Sequence, residues 1–131
     1  MSTDDDKVIE LAGKVFDLAR QGDADTLAAY LDAGVPANLT NDRGDGLLML
    51  AAYHGHRDAV AVLLMRGAEV DQLNDSGQTP LSGAVFKGDK EVVRLLVNAG
   101  ADLDAGSPSA RDTAEMFGRT ELLESLSNPE Q

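Results

Sequence analysis

The stretch Gly44–Gly67, GDGLLMLAAYHGHRDAVAVLLMRG, contains two short apolar segments separated by a glycine. The spacing of the apolar residues predicts one helix over residues 47–54 and a second over residues 58–66. Gly55 lies between them, where a glycine is typical of a turn. The stretch is therefore predicted to form one complete unit of two helices.

The glycines of this unit recur along the chain at a constant distance. They have counterparts 33 residues away, namely Gly77 for Gly44, Gly22 and Gly88 for Gly55, and Gly34 and Gly100 for Gly67. A repeat period of about 20 to 50 residues is typical of proteins built from stacked units. We therefore expect each two-helix unit to bury its apolar face against the next one.

The unit after Gly77 carries the most specific motif. GQTPL opens it at residues 77–81, Gly88-Asp89 divides it, EVVRLLV follows at 91–97, and NAGAD closes it at 98–102. This pattern resembles the ankyrin repeat, in a small bacterial type with about four repeats including modified caps. The resemblance implies an all-α ankyrin-repeat solenoid of antiparallel helix pairs with β-turn fingers.

The resemblance covers nearly the whole chain, and the two end units depart from it. The first lacks the T-P-L start, and the fourth has lost three residues from its finger and carries polar residues in its last helix. Such changes suit terminal caps, which have one side in water. The predicted divisions are a frayed acidic N-terminus at 1–7 and a repeat domain at 8–127, with repeats at about 8–40, 41–73, 74–106 and 107–127. The other helices are expected at about 7–20, 80–87, 90–98 and 120–127.

The apolar positions of the predicted helices give a candidate core. Ala51 and Ala52 are expected at the closest helix contact, where small side chains allow close approach. Asp23 or Asp25, Thr79, and Gly44 or Asp45 are expected to begin the helices that follow them. The candidate core residues are Val8, Leu11, Val15, Leu18, Ala19, Leu27, Tyr30, Leu31, Leu47, Leu48, Ala51, Ala52, Val60, Leu63, Leu64, Leu81, Ala84, Val85, Val93, Leu96, Val97, Leu122, Leu123 and Leu126.

Composition narrows the class of protein. The 131 residues are 43% hydrophobic and contain no cysteine, which excludes disulfides and thiolate metal sites. The acidic N-terminus does not match a signal peptide, and no apolar run reaches about 18 residues. We expect a cytoplasmic monomer without a membrane segment. The net charge of −12 argues against nucleic-acid binding and would steer a partner with a basic surface, unless it serves only solubility.

Few residues could carry catalysis, so we expect no enzyme, no cofactor and no metal site. The chain has two histidines, His54 and His56. The resemblance implies a structural role for His56, which occupies the family's glycine-histidine position. His54 with His56 could in principle hold a metal, and Ser82 with His54 could in principle form a nucleophile pair, but neither spacing completes a site.

The remaining candidate is a surface, because the resemblance implies a protein-binding module that uses its concave face. Tyr53 and Phe86 lie 33 residues apart at the same position of adjacent units, where Arg20 and Met116 are their counterparts. Aromatic residues are enriched as anchors of interfaces. The candidate partner-binding residues are Tyr53, Phe86, Met49, His54, Lys87, Arg43, Asp45, Asn74, Ser76 and Gln78.

Two alternatives stay open at this point. Tyr53 and Phe86 could be filler between repeats, and the finger residues could serve only turn formation. The chain could also be a scaffold or a stabilising helper of a specific enzyme. A hydrolase or metalloenzyme built on the repeats is the least favoured interpretation.

Overall fold

The computed structural model describes the backbone of residues 3–127 and the side chains of residues 9–124. Over this part of the chain the backbone forms eight helices and no strand longer than an isolated bridge. The helices are α1 Thr3–Gln21, α2 Ala24–Asp32, α3 Leu47–Tyr53, α4 Arg57–Met65, α5 Pro80–Lys87, α6 Lys90–Asn98, α7 Ala110–Met116 and α8 Glu121–Ser127.

The helices form four antiparallel pairs that stack into a solenoid. The first helices of the pairs, α1, α3, α5 and α7, pack against one another in order, and we call them the first-helix row. The second helices, α2, α4, α6 and α8, likewise pack against one another in order and form a second row beside the first. This all-α arrangement confirms the predicted fold class.

The helix bounds agree with the sequence to within about a residue except at the N-terminus. There α1 begins at Thr3, whereas the apolar stripe predicted a start near Lys7. The stripe marks only the buried part of a helix, so it does not detect a polar first turn such as TDDD. The frayed state of residues 1–7 remains a prediction.

Most of the candidate core is buried, and its centre consists of small residues. Ala51, Ala52 and Ala84 are completely excluded from solvent between neighbouring first helices. Leu11 was wrongly assigned to the core, because it is 40% exposed on α1, which packs against α2 and α3 with another part of its surface. Tyr30, Leu64 and Val97 are half-buried, and the side chains of Val8 and Leu126 lie outside the described residues. The buried residues that the apolar pattern missed include Phe16, Met49, Leu50, Ala59, Val92, Ala110 and Ala114.

Polar side chains begin several of the helices as expected. Thr79 accepts a hydrogen bond from the Ser82 amide at 3.1 Å, and Ser82 Oγ accepts one from the Thr79 amide at 3.0 Å. Ser82 thereby completes a reciprocal capping box at the start of α5. At the starts of α2 and α7 the cap is a single hydrogen bond. The side chains of Asp23 and Ser109 each accept it from a backbone amide of the first helical turn.

The start of α3 was predicted wrongly. Its N-cap is Gly46, which has extended backbone geometry and no side-chain cap, and not Gly44 or Asp45. The Asp45 carboxylate is instead engaged by the Asn74 side chain at 2.9 Å, so it contributes to contact between fingers. A Cβ at residue 46 would meet the Gln72 amide oxygen, which lies at the end of a flexible side chain.

The packing leads to a stability prediction. Ala52→Leu introduces a large side chain where α3 contacts its neighbours, and overpacking of this kind costs about 1–3 kcal/mol. Ala29→Leu provides a matched control, because Ala29 is exposed on α2. Urea denaturation followed by circular dichroism should show a lower free energy of unfolding for Ala52→Leu and almost no change in it for Ala29→Leu. Equal stability of the two variants would contradict the close contact.

Candidate functional site

The first two fingers, which contain Asn41 and Asn74, are each held by an asparagine that organises its own turn. Asn41 Oδ1 accepts hydrogen bonds from the amides of Arg43 at 2.9 Å and Asp45 at 3.0 Å. Asn74, 33 residues later, accepts from Ser76 and Gln78 in the same way, both at 3.0 Å. These are turns in which a side chain replaces a backbone acceptor. Turn formation is therefore a sufficient reason for the two asparagines.

The fingers are also joined to one another. The Asp75 amide donates to the Arg43 carbonyl at 3.1 Å, and the Ser107 amide donates to the Gly77 carbonyl at 2.9 Å. Asn74 Nδ2 adds the bond to Asp45 already described. The three fingers consequently form one continuous edge alongside the first-helix row.

A pocket of about 260 Å³ lies between the fingers and α3. Seven of the ten candidate residues line it, and Leu50 completes the lining; the seven are Arg43, Asp45, Met49, Tyr53, Asn74, Ser76 and Gln78. Met49 was expected on the exposed surface but is only 5% exposed, because Gly83 on α5 leaves room for its sulfur. It is part of the pocket floor and of the core.

A second pocket of about 310 Å³ adjoins the first, and both are lined by Tyr53 and Gln78. The other lining residues of the second pocket are Ser82, Gly83, Phe86, Pro108, Thr113 and Phe117. Together the two pockets form a groove along the fingers and the first-helix row, which we call the finger groove.

Three aromatic rings from successive units meet beside this groove. The rings of Tyr53 and Phe86 stack with centroids 6.3 Å apart and planes within 6° of parallel. Phe117 meets Phe86 edge-on, with centroids 5.1 Å apart. The rings remain 36%, 42% and 47% exposed in chain order, so they are neither core residues nor isolated. We call these three residues the aromatic strip.

The sequence analysis did not predict Phe117. It aligned the units on their middle glycines, and the residue two positions before Gly118, as Phe86 is before Gly88, is Met116. Met116 is exposed but makes no described ring contact with the strip. An exposed aromatic one residue before Gly118 was the signal that could have identified Phe117.

Two further candidates, Lys87 and His54, lie beside Tyr53. The Lys87 ammonium is 4.8 Å from the Tyr53 ring centroid, within the range of a cation–π contact. The His54 ring meets Tyr53 edge-on at 5.4 Å. Partial burial lowers the pKa of His54, and the nearby charges of His56, Lys87 and Arg20 lower it further. Both effects favour the neutral form of the His54 ring.

His56 connects adjacent units. Its Nε2 donates a hydrogen bond to the Arg20 carbonyl at the end of α1, at 2.6 Å, which fixes the proton on Nε2. The imidazole covers Gly22, whose backbone has a φ of 77°, and a Cβ on that glycine would collide with the ring. Arg119 makes the corresponding bond at the other end of the solenoid, donating to the Phe86 carbonyl at 2.9 Å.

The residues considered for catalysis are engaged in structure. Ser82 Oγ donates to the Thr79 carbonyl at 2.9 Å within the capping box. Among the described side chains, no group of three His, Asp or Glu residues converges as metal ligands do. Within residues 3–127 no helix combines the length and the hydropathy needed to cross a membrane.

The two histidines offer a matched pair for a stability test. His56→Ala removes a partly buried hydrogen bond between units, which should cost about 0.5–1.5 kcal/mol or slightly more. His54→Ala removes an exposed ring and should change the free energy of unfolding by less than about 0.5 kcal/mol. Denaturant unfolding of both variants measures the difference. A larger decrease in the free energy of unfolding for His54→Ala than for His56→Ala would contradict the structural role of His56.

Comparison with known proteins agrees with this architecture. A family model for ankyrin repeats in three copies matches residues 15–107. A Pseudomonas aeruginosa protein named as an ankyrin repeat protein is 53% identical over 45 residues, a stretch that covers 34% of this chain and 26% of that relative. Ankyrin repeats are generally non-enzymatic modules for protein–protein interaction. Because the family match spans well over half of its residues, the chain belongs to the ankyrin-repeat family.

Proposed function

We propose that this chain binds a partner protein through the finger groove and the aromatic strip. The observation that carries the proposal is the aromatic strip itself, in which Tyr53 and Phe86 stack while each keeps more than a third of its surface in solvent. Aromatic side chains held rigidly at a surface are typical anchors of protein interfaces, because little conformational entropy is lost when they bind.

The surroundings of the strip support the same function. The finger groove lies next to the rings and presents polar groups of Arg43, Ser76 and Gln78 around an apolar floor. Interfaces are commonly built in this way, with an apolar centre and a polar rim. Asn74 is less available to a partner, because its oxygen and its amide group are both used within the fingers.

Charge supports a basic surface on the partner where it faces the fingers. The chain has a net charge of −12, and Asp42 and Asp75 are exposed at the finger tips. A basic partner would be attracted over about a Debye length, roughly 8 Å at physiological salt. Its association rate would therefore fall as salt is added.

The double variant Tyr53→Ala with Phe86→Ala tests this proposal. Both rings lie outside the buried core, so the helical circular dichroism signal should remain. If they are anchors, partner binding should weaken by about 2 kcal/mol or more, roughly thirtyfold in the dissociation constant. The measurement is capture from a lysate of cells that express the chain, quantified by mass spectrometry and followed by titration with the purified partner.

A matched control distinguishes specific binding by the aromatic strip from non-specific binding by exposed apolar side chains. Met65 is 82% exposed on α4, in the second row, so Met65→Ala removes an exposed apolar side chain away from the aromatic strip. A partner retained by the wild type and by Met65→Ala, but lost from the double variant, supports the proposal. Equal retention by all three proteins rejects this surface.

A further inference from the structure

The strip carries positive charge that the chain does not neutralise. Lys87 lies over Tyr53, and the Arg119 guanidinium lies 5.8 Å from the centroid of Phe117. Neither side chain forms an ion pair among the residues whose side chains are described. Arg119 uses one nitrogen on the Phe86 carbonyl, and Lys87 makes no described hydrogen bond.

Ion pairs divide the cations whose side chains are described: Lys14, Arg43, Lys90 and Arg94 also have none, whereas four arginines have one. Arg20, Arg57, Arg66 and Arg111 each lie within 4.0 Å of a carboxylate. The sequence has 23 acidic residues against 11 Lys and Arg, so carboxylates are abundant. Lys14 also lies without an ion pair over a ring, that of Tyr30, so what distinguishes Lys87 and Arg119 is their position beside the aromatic strip.

Charges of both signs lie near Lys87. Arg20 is paired with Asp17, and the Asp89 carboxylate lies beside Gly55, next to His54. Lys87 also lies in the last turn of α5, where it stabilises the negative end of the helix dipole. That role needs only the charge and would not require contact with Tyr53.

The charges on the two sides of the binding surface differ in part. Asp42 and Asp75 are exposed at the finger tips together with Arg43, whereas Lys87 in the last turn of α5 and Arg119 after α7 lie beside the strip. A partner segment that lies on the aromatic strip would meet cations there although the chain as a whole is acidic. Complementarity at this point requires a carboxylate from the partner.

We propose that the aromatic strip and Lys87 together receive a partner segment in which an apolar side chain lies within a few residues of an Asp or Glu. The apolar side chain enters the second pocket, between Phe86 and Phe117, and the carboxylate pairs with the Lys87 ammonium. The inference rests on the proposed function and adds the chemistry of the segment that the surface selects.

A random peptide display library is the probe, with the intact chain as bait. The wild type should enrich peptides that have Asp or Glu within about three positions of Leu, Phe, Tyr or Trp. The best peptide is then synthesised with a fluorophore, both as selected and with its acid replaced by the corresponding amide. Fluorescence anisotropy should show about tenfold weaker binding of the amide form, as expected for loss of a charge-assisted contact.

Lys87→Met and Lys87→Glu test the residue, and Lys90→Glu is the matched control. Lys90 is an exposed lysine at the start of α6, so its replacement changes the net charge as much as Lys87→Glu does. Lys87→Met should weaken the acidic peptide about tenfold and Lys87→Glu more, with less effect on the amide form. Lys90→Glu should stay within about twofold, because Lys90 makes no described contact with the aromatic strip and its exposed charge is screened by salt.

The outcomes separate this inference from the proposed function. Enrichment of apolar peptides without an acidic residue, or equal effects of Lys87→Glu and Lys90→Glu, overturns the inference and leaves the aromatic strip as a binding surface. A bait that enriches no peptides, or the same peptides as the Tyr53→Ala with Phe86→Ala double variant, contradicts the proposed function and the inference with it.

Discussion

The close approach of neighbouring first helices is the constraint on which the structure depends. Ala51 and Ala52 on α3 and Ala84 on α5 leave no accessible surface, and Gly83 has no side chain at all. A Cβ on Gly83 would lie 3.3 Å from the Met49 sulfur, closer than most such contacts. The helices other than α1 have only seven to nine residues and are too short to be stable alone, so most of their stability comes from this packing. The same spacing places the Tyr53 and Phe86 rings within stacking distance at the helix ends.

Hydrogen bonds between adjacent units preserve this spacing on both sides of the first-helix row. At the helix ends, His56 and Arg119 donate to backbone carbonyls of the preceding unit. On the opposite side, the fingers are connected through Asp75 and Ser107. Every adjacent pair of units is joined by at least one of these bonds, and the third and fourth units are joined on both sides, so the groove and the rings are carried by a preformed surface. Preformed surfaces lose less entropy when they bind a partner.

The repeat period made most of the fold predictable, whereas the site was predictable only in part. The 33-residue spacing locates each turn glycine, and this is why α3 to α6 were predicted almost to the residue. The stacking of Tyr53 on Phe86 follows from the same period. The burial of Met49 could not be predicted from the period, because it depends on the lack of a side chain at Gly83 in the next unit. The fourth unit was harder, because its shortened finger disturbs the alignment that would have selected Phe117.

The positions of the charges on the surface could not be predicted from the amino-acid composition either. A net charge of −12 agrees with the exposed Asp42 and Asp75 but does not reveal that Lys87 and Arg119 both lie beside the aromatic strip. Which charges lie together is decided by the stacking of units, so residues 33 apart become neighbours. In this family, the chemistry of a surface is therefore better judged from equivalent positions of successive repeats than from totals.

Amide hydrogen exchange of the intact chain tests the central claim most directly, since it measures the opening free energy of each helix. Because α3 and α5 are each covered by first helices on both sides, their amides should exchange most slowly and with one shared opening free energy. The amides of α1 and α7 should exchange faster. Slowest exchange in α1 or α7, or separate opening of α3 and α5, would contradict the dependence of the fold on the first-helix row.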